Sequence, residues 1–263
     1  VPEGDAVYRT AALLRAALDG RPLTRSEFRV PRYATADLSG RAVLTTISYG
    51  KHLLTRVAGG LTVHTHLRMD GSWRVQPAGR RLPPGDVVRL VLANAETQAV
   101  GIRLGVVDLL PTDREHRVIG HLGPDLLGPN WDPAEAARRI RNRPEVTIGE
   151  ALLDQRNLAG IGTIWRSETL FLAGVSPWRP VGEIAGAGRL EEMVSRTAWL
   201  MSAAKERRGP VTTGDPRPGR ELWVYGRDRR PCRRCGNAIE RAEMGSQPYE
   251  RLVFHCPVCQ PPR

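Results

Sequence analysis

The stretch LLDQRNLAGIGTIWRSETLFL, residues 152–172, changes character twice within 21 residues. Its first apolar run predicts a helix that stops at Asn157. Gly160-Ile161-Gly162 predicts a tight turn, and a second helix is expected from about Thr163. A helix start preceded by glycines leaves backbone N–H groups open to an anion, with no side chain in the way. Gly160, Gly162, Thr163 and Asn157 are therefore candidates for holding a phosphate. By itself the pattern describes a plain helical hairpin equally well.

Reading outward, the neighbouring segments are helical too. Asp132-Pro133 is an N-cap with proline at the first helical position, opening AEAARRIRN. RLEEMVSRTAWLMSAAK sets Leu190, Met193, Val194, Thr197, Leu200 and Met201 at helical spacing. Before them, GHLGPDLLGPN (120–130) reads as a linker. From about 22 to 110 the texture is different: short β-rich runs such as RAVLTTISYG, KHLLTRVA, LTVHTHL and VVRLVLA, punctuated by Gly59-Gly60, Asp70-Gly71 and Pro83-Pro84-Gly85. Six to eight strands in a sandwich or barrel are expected. A first helix over residues 5–18, capped by Asp5, would pack on them through Val7, Ala11, Leu14 and Leu18. The expected chain is α+β: an N-terminal β-sandwich with a packed helix (1–119), a linker (120–131), a helical domain (132–221) and a cysteine module (222–263).

That module holds all four cysteines. Cys232-Arg-Arg-Cys235 and Cys256-Pro-Val-Cys259 enclose 20 residues. Two such pairs predict one tetrahedral zinc per chain, held by four thiolates on two knuckles. Four protein ligands leave no open position, so the zinc is structural, and a module this small needs it to fold. The module is also basic, with Arg227, Arg229, Arg230, Arg233, Arg234, Arg241 and Arg251; a rigid hairpin with arginine at its tip suits phosphate.

The 263-residue chain carries 39 basic and 28 acidic side chains, a net charge of +11. This balance favours a polyanionic partner, most commonly nucleic acid. All the basic residues but Lys51 and Lys205 are arginine. A GC-rich genome produces that bias, which makes the compact ammonium at position 51 the exception to note. No run of 18 apolar residues predicts a membrane span. The start does not read as a signal peptide, so a cytoplasmic protein is expected.

The start itself, Val1-Pro2-Glu3-Gly4-Asp5, carries chemistry. A valine-type start codon is initiated with methionine; if residue 1 is such an initiator and is removed, Pro2 becomes a free secondary amine. An α-amino group titrates near ~8. Attack on a sugar carbonyl carbon gives an iminium that is cationic without a further proton, and Glu3 stands beside it to donate or accept one. The other reading is an ordinary disordered terminus.

Taken in order, these segments resemble the formamidopyrimidine-DNA glycosylase / endonuclease VIII family along essentially the whole chain. The matching parts are the Pro2-Glu-Gly start, Tyr49-Gly-Lys-His-Leu-Leu54, His66-Leu-Arg-Met-Asp-Gly-Ser-Trp73 and His121-Leu-Gly-Pro-Asp125. The Gly-Ile-Gly turn, Val224-Tyr-Gly-Arg227 and the two-pair zinc finger follow. The Pro-Glu-Gly-Asp start is most similar to the actinobacterial endonuclease VIII-like branch.

The resemblance implies a bifunctional DNA glycosylase and abasic-site lyase of base excision repair. The DNA would lie between the β-domain and a helix–two-turn–helix domain. Pro2 would be the nucleophile and Glu3 the proton donor at the sugar. Lys51 would hold the phosphate near the lesion, and Arg251 would grip phosphates around the flipped nucleotide. Met69 would fill the hole a flipped base leaves, with Arg103 the candidate in a second loop. The expected partner is damaged DNA. The expected setting is a monomer in the bacterial cytoplasm, associated with the nucleoid when acting.

Two departures stand out. Asp5-Ala6 replaces the family's common Pro-Glu, and Thr163 replaces an asparagine, offering one donor where an amide offers two. The run Ile102-Arg103-Leu104-Gly105 lacks the expected cytosine-reading arginine and bulky aromatic, and the loop before Glu221 is short. These features favour oxidised pyrimidines as substrate. Open alternatives are a purine-specific formamidopyrimidine/8-oxoguanine glycosylase and a non-catalytic DNA-damage binding protein. For Met69, plain core packing is also open.

Overall fold

α1 (Gly4–Leu18) buries the stripe expected of it: Val7, Ala11, Leu14 and Leu18 are at most 1% exposed. In the computed structural model, which describes residues 2–262 except Ala185, Ala187, Arg208 and Tyr249, this helix begins one residue before Asp5. The cap position falls to Glu3, whose carbonyl accepts the Val7 N–H at 3.0 Å. Asp5 lies inside the first turn, 3% exposed, and its carboxylate takes Arg9 at 3.0 Å, an i,i+4 pair. The expectation of Asp5 as N-cap is therefore corrected. The fate of Val1 lies outside the described residues.

The chain divides into two units, one ending at His121 and one beginning at Leu122. The first is a β-sandwich. Its eight strands are β1 (Arg25–Phe28), β2 (Val43–Tyr49), β3 (His52–Val57), β4 (Leu61–His66), β5 (Ser72–Pro77), β6 (Val88–Ala93), β7 (Thr97–Ile102) and β8 (Val106–Pro111). They form two four-stranded antiparallel sheets, ordered β1-β6-β7-β5 and β2-β3-β4-β8. Alternate residues of both face one core, where Leu53, Val57 and Val63 of one sheet meet Leu90, Leu92 and Ala99 of the other. α1 closes that core with its apolar stripe. A short helix, α2 (His116–Ile119), ends the unit.

The second unit is helical, with a β-hairpin at its end. α3 (Pro133–Arg141) starts as expected: the Asp132 carboxylate accepts the N–H groups of Ala134 and Glu135 at 2.9 and 3.0 Å. α4 (Ile148–Leu153), α5 (Thr163–Ala173) and α6 (Arg189–Lys205) follow, then β9 (Glu240–Met244) and β10 (Arg251–His255) paired antiparallel. Leu152, Trp165, Leu170, Leu190, Val194 and Met201 form its core. Within 120–131, Gly123 packs so closely on the Asn157–Leu158 backbone that a Cβ would meet it at 2.4 Å. The Gly123 N–H donates to Gln155, and Leu126 and Ala159 complete a short bridge with Pro124. This part of the stretch is fixed packing rather than a loose tether.

Candidate functional site

α1 presents Pro2 and Glu3 at its N-terminus, the end where backbone N–H groups concentrate positive potential. Pro2 is half-buried and Glu3 is 2% exposed. A carboxyl fixed at this point is placed to exchange a proton with whatever the neighbouring nitrogen attacks.

Lys51 sits at the tip of the β2–β3 hairpin. Tyr49 pairs with His52, leaving Gly50-Lys51 as a two-residue loop. Gly50 has φ +55°, the first-position glycine of a type II′ turn. Beside Lys51 the two strands supply an imidazole cluster that sequence reasoning did not single out. His52 Nδ1 lies 2.9 Å from His64 Nε2, and the His66 ring meets His52 edge-on at 4.9 Å. Burial, with His66 and His64 alongside, pushes His52 down to about 3. Burial, with the cations Arg68 and Lys51 nearby, pushes His66 down to about 4. The cluster is thus neutral at physiological pH. The signal was present: histidines at i and i+2 on β4, with a third directly across at His52.

Met69 and Arg103 come from two loops that touch. Met69, in the β4–β5 turn, is 63% exposed, which rules out core packing as its role. Arg103, in the β7–β8 turn, is exposed. A Cβ on Gly71 would meet the Arg103 carbonyl at 2.9 Å, and one on Gly105 would meet the Arg68 side chain at 2.1 Å. Arg68 and Arg103 both adopt positive φ, +56° and +47°, a conformation that costs non-glycine residues energy and gathers at functional loops. Leu104 points the other way, 2% exposed in the sandwich core. It leaves no wedge at that position.

In the second unit the helix expected to reach Asn157 ends at Leu153, a correction with a visible cause. Three side chains capture the chain there. The Asp154 carboxylate accepts the Arg156 N–H at 3.0 Å, Gln155 Nε2 donates to the Leu153 carbonyl at 2.9 Å, and Asn157 Nδ2 donates to the Ala151 carbonyl at 2.9 Å. Asn157 thus spends one donor on the turn. Gly160, at φ +111°, gives its N–H to Gln155 Oε1 at 3.0 Å. α5 then begins, Thr163 following Gly162, with its first helical bond from the Arg166 N–H to the Gly162 carbonyl at 2.9 Å.

α5 also carries the cysteine hairpin. Arg166, 0% exposed, donates to the Arg251 and Leu252 carbonyls at 3.2 and 2.7 Å. Ser167 Oγ accepts the Phe254 N–H at 3.3 Å. The Glu168 carboxylate accepts the N–H groups of Trp223, Val224 and Tyr225 at 2.8–2.9 Å and the Thr212 hydroxyl. Burial pushes the Glu168 carboxyl up; Thr212 and the three backbone donors pull it back toward the anion. These three consecutive polar residues inside an apolar helix hold the hairpin to α5, and Arg251 is exposed at the start of β10, the strand whose first carbonyls Arg166 binds.

The basic residues of the hairpin are less uniform than expected. Arg227 is buried and donates to the Trp223 and Pro231 carbonyls; Arg233 donates to the Leu222 carbonyl. Arg234 stacks on the Phe171 ring at 4.4 Å. These three help to hold the module together. The four cysteines converge: Cys232 and Cys259 sulfurs are 3.9 Å apart, Cys235 and Cys256 3.4 Å, and all four lie within 4.8 Å of one another. Four thiolates about 2.3 Å from one zinc would be about 3.8 Å apart, so the donor set fits a tetrahedral ion.

A helix-initiating Pro-Glu on a β-sandwich, a helix–two-turn–helix and a four-cysteine hairpin define a class of DNA-repair glycosylase fold. The comparisons agree. The formamidopyrimidine-DNA glycosylase N-terminal domain matches residues 1–105 and its H2TH domain residues 122–213. The chain belongs to the formamidopyrimidine-DNA glycosylase / endonuclease VIII family. It is 53% identical to a probable endonuclease 8 2 of Streptomyces coelicolor over 99% of this chain and 94% of that one. It is 45% identical to the DNA-(apurinic or apyrimidinic site) lyase Nei2 of Mycolicibacterium smegmatis over 99% of each. Among solved structures, Lactococcus lactis Fpg bound to DNA containing an oxidised pyrimidine shares the fold at TM-score 0.84 and 23% identity, covering 99% of this chain and 100% of that one.

Proposed function

We propose that this chain is a bifunctional DNA glycosylase and abasic-site lyase of base excision repair, acting on oxidised bases and preferring pyrimidines. The observation that carries it is the Pro2-Glu3 pair on the N-terminus of α1, in a chain whose relatives are endonuclease 8 proteins. The Pro2 nitrogen attacks C1′ of the damaged nucleotide and the bond to the base breaks. Glu3 protonates the ring oxygen as the sugar opens, leaving an iminium. Loss of a C2′ proton then expels the 3′ phosphate, a second elimination expels the 5′ phosphate, and water releases Pro2.

Lys51, the α5 start at Gly162-Thr163 and Arg251 hold phosphates in this reading, and Met69 with Arg103 occupies the space the flipped base vacates. Gly160 and Asn157 shape the turn that presents them. One zinc, held by Cys232, Cys235, Cys256 and Cys259, folds the hairpin of residues 222–263 and takes no part in chemistry, having no open position. On this reading the protein works as a monomer on nucleoid DNA in the bacterial cytoplasm. Among the described residues, no helix is long and apolar enough to cross a membrane.

The mechanism requires a free amine on Pro2. Borohydride should trap the protein covalently on DNA holding an abasic site, and mass spectrometry of the same sample should find Pro2 as the first residue. Efficient trapping by a form that retains residue 1 would refute the proline mechanism.

A further inference from the structure

The sandwich carries an arginine-lined cleft that none of the chemistry above uses. Its volume is about 620 Å³, and it is bounded by Arg74, Gln76, Arg80, Arg81 and the apolar ridge Leu82-Pro83-Pro84. The segment between β5 and β6 folds back over the outer face of its sheet, where Leu82 and Val87 pack on Val88, Val91 and Val100. Two buried glutamines fix its backbone. Gln98, 1% exposed, donates to the Arg80 carbonyl at 2.5 Å; Gln76, 7% exposed, reaches the Arg80 and Arg81 carbonyls at 3.4 and 3.5 Å. With their carbonyls turned into the sheet, Arg80 and Arg81 have exposed side chains, alongside exposed Arg74 on the edge strand β5.

None of these three arginines makes an ion pair or a side-chain hydrogen bond among the described residues, and no carboxylate lines the cleft. Several arginines elsewhere are ion-paired: Arg138 and Arg139 with Glu135, Arg141 with Glu191, Arg156 with Asp154, Arg217 with Asp215. Three uncompensated guanidiniums, two on a pinned loop and one on the adjoining edge strand, carry a standing repulsion that an anion relieves. The cleft is open and lacks an aromatic ring on which a base could stack, so its recognition is of charge alone.

We propose that this cleft binds the phosphodiester backbone of DNA away from the lesion, an inference that rests on the glycosylase reading. The topology sets the distance. Ser72, the first residue of β5, pairs with Ile102 beside the Met69 and Arg103 loops. Arg74 is five residues from Met69, at most about 17 Å along extended chain. At ~3.4 Å per step this bound is no more than about five base pairs of DNA. Arg80 and Arg81 line the same cleft, their segment folding back so that their carbonyls meet Gln76.

The test compares the wild type with the variant Arg74→Gln, Arg80→Gln, Arg81→Gln, using an abasic-site analogue at the centre of an 11-bp or a 25-bp duplex. The short duplex extends about five base pairs on either side of the analogue, the long one about twelve. The variant should bind the 25-bp duplex about tenfold more weakly, with a slope of log affinity against log salt smaller by roughly 2–3. Its affinity for the 11-bp duplex, and its borohydride trapping there, should match the wild type. If the phosphates instead come from a second DNA segment, affinity for each single duplex is unchanged, but the wild type bridges a labelled undamaged duplex to the trapped complex and the variant does not. That result also supports a phosphodiester site. Equal losses on both lengths, or no loss of affinity or bridging, would overturn it. Failure of the wild type to trap at all would instead overturn the glycosylase reading.

Discussion

At the scale of single residues, the site separates charge from protonation. Lys51 lies beside imidazoles that burial holds neutral, while Glu3 is the buried carboxyl next to Pro2, the proposed nucleophile. Base removal needs an acid at the sugar; the later eliminations can borrow other groups. Glu3→Gln should therefore lower excision of a damaged base by about 10²-fold or more, yet spare much of the cleavage at a preformed abasic site. Single-turnover assays on the two substrates measure the split, and equal loss of both would assign Glu3 a structural role. The lesion preference also lives at this scale. Leu104 is turned into the core, so the β7–β8 loop offers Arg103 but no aromatic wedge. A site lacking donors matched to a purine edge forgoes the discrimination they supply. Thymine glycol or dihydrouracil should be excised faster than 8-oxoguanine opposite cytosine in parallel single-turnover assays. The reverse order would mean that Arg103, exposed beside Met69, reads the opposite base.

At the scale of elements, α5 is the part that joins the proposed phosphate site at Gly162-Thr163 to the cysteine hairpin. Its Arg166-Ser167-Glu168 run is buried because each side chain satisfies backbone groups of the module it carries. Glu168→Gln would turn an amide NH₂ toward backbone donors and leave at least one without an acceptor, at a cost of about 1–3 kcal/mol. It should loosen the hairpin and weaken DNA binding even with all four cysteines intact. Arg251→Ala should weaken binding by about 1.5–3 kcal/mol without changing the melting temperature. A titration and a thermal melt on each variant distinguish the two; a Glu168→Gln protein that melts and binds like the wild type would remove this helix from the argument.

The same helix marks the limit of what the sequence discloses. The apolar periodicity of α1 and α6, the Gly-Ile-Gly turn and the cysteine spacing are local patterns, and each reads directly. The end of α4 does not, because it is decided by Asp154, Gln155 and Asn157 side chains bonding to nearby backbone, a competition that apolar periodicity cannot register. Nor do the roles of Arg227, Arg233 and Arg234. A run of arginines signals phosphate until the carbonyls and the Phe171 ring that occupy them are seen. His52, His64 and His66 meet only once strands β3 and β4 are in register.

At the scale of the whole chain, the two units draw their stability from different sources and should respond to different insults. The first contains the neutral histidines. Both His52, held at about 3, and His66, held at about 4, lie below the ordinary value of 6.5. Between about pH 6.5 and 4 the unfolded chain binds protons that the folded unit refuses. Stability must therefore fall as pH is lowered through that window and is recovered above it. The second unit has no such cluster among its described residues; there the cysteine hairpin is closed by a metal-type donor set. Differential scanning calorimetry should thus resolve two responses. Lowering the pH from 7 to 4.5 should shift the transition of the sandwich downward by several degrees, and His52→Gln should flatten that dependence. Stripping metal with a strong chelator at pH 7 should lower the transition of the helical unit, leave the sandwich transition in place and weaken DNA binding through Arg251. A chelator effect that falls on the sandwich, or a pH effect that persists undiminished in His52→Gln, would show that the histidine stack and the cysteine cluster are not what sets the stability of their respective units.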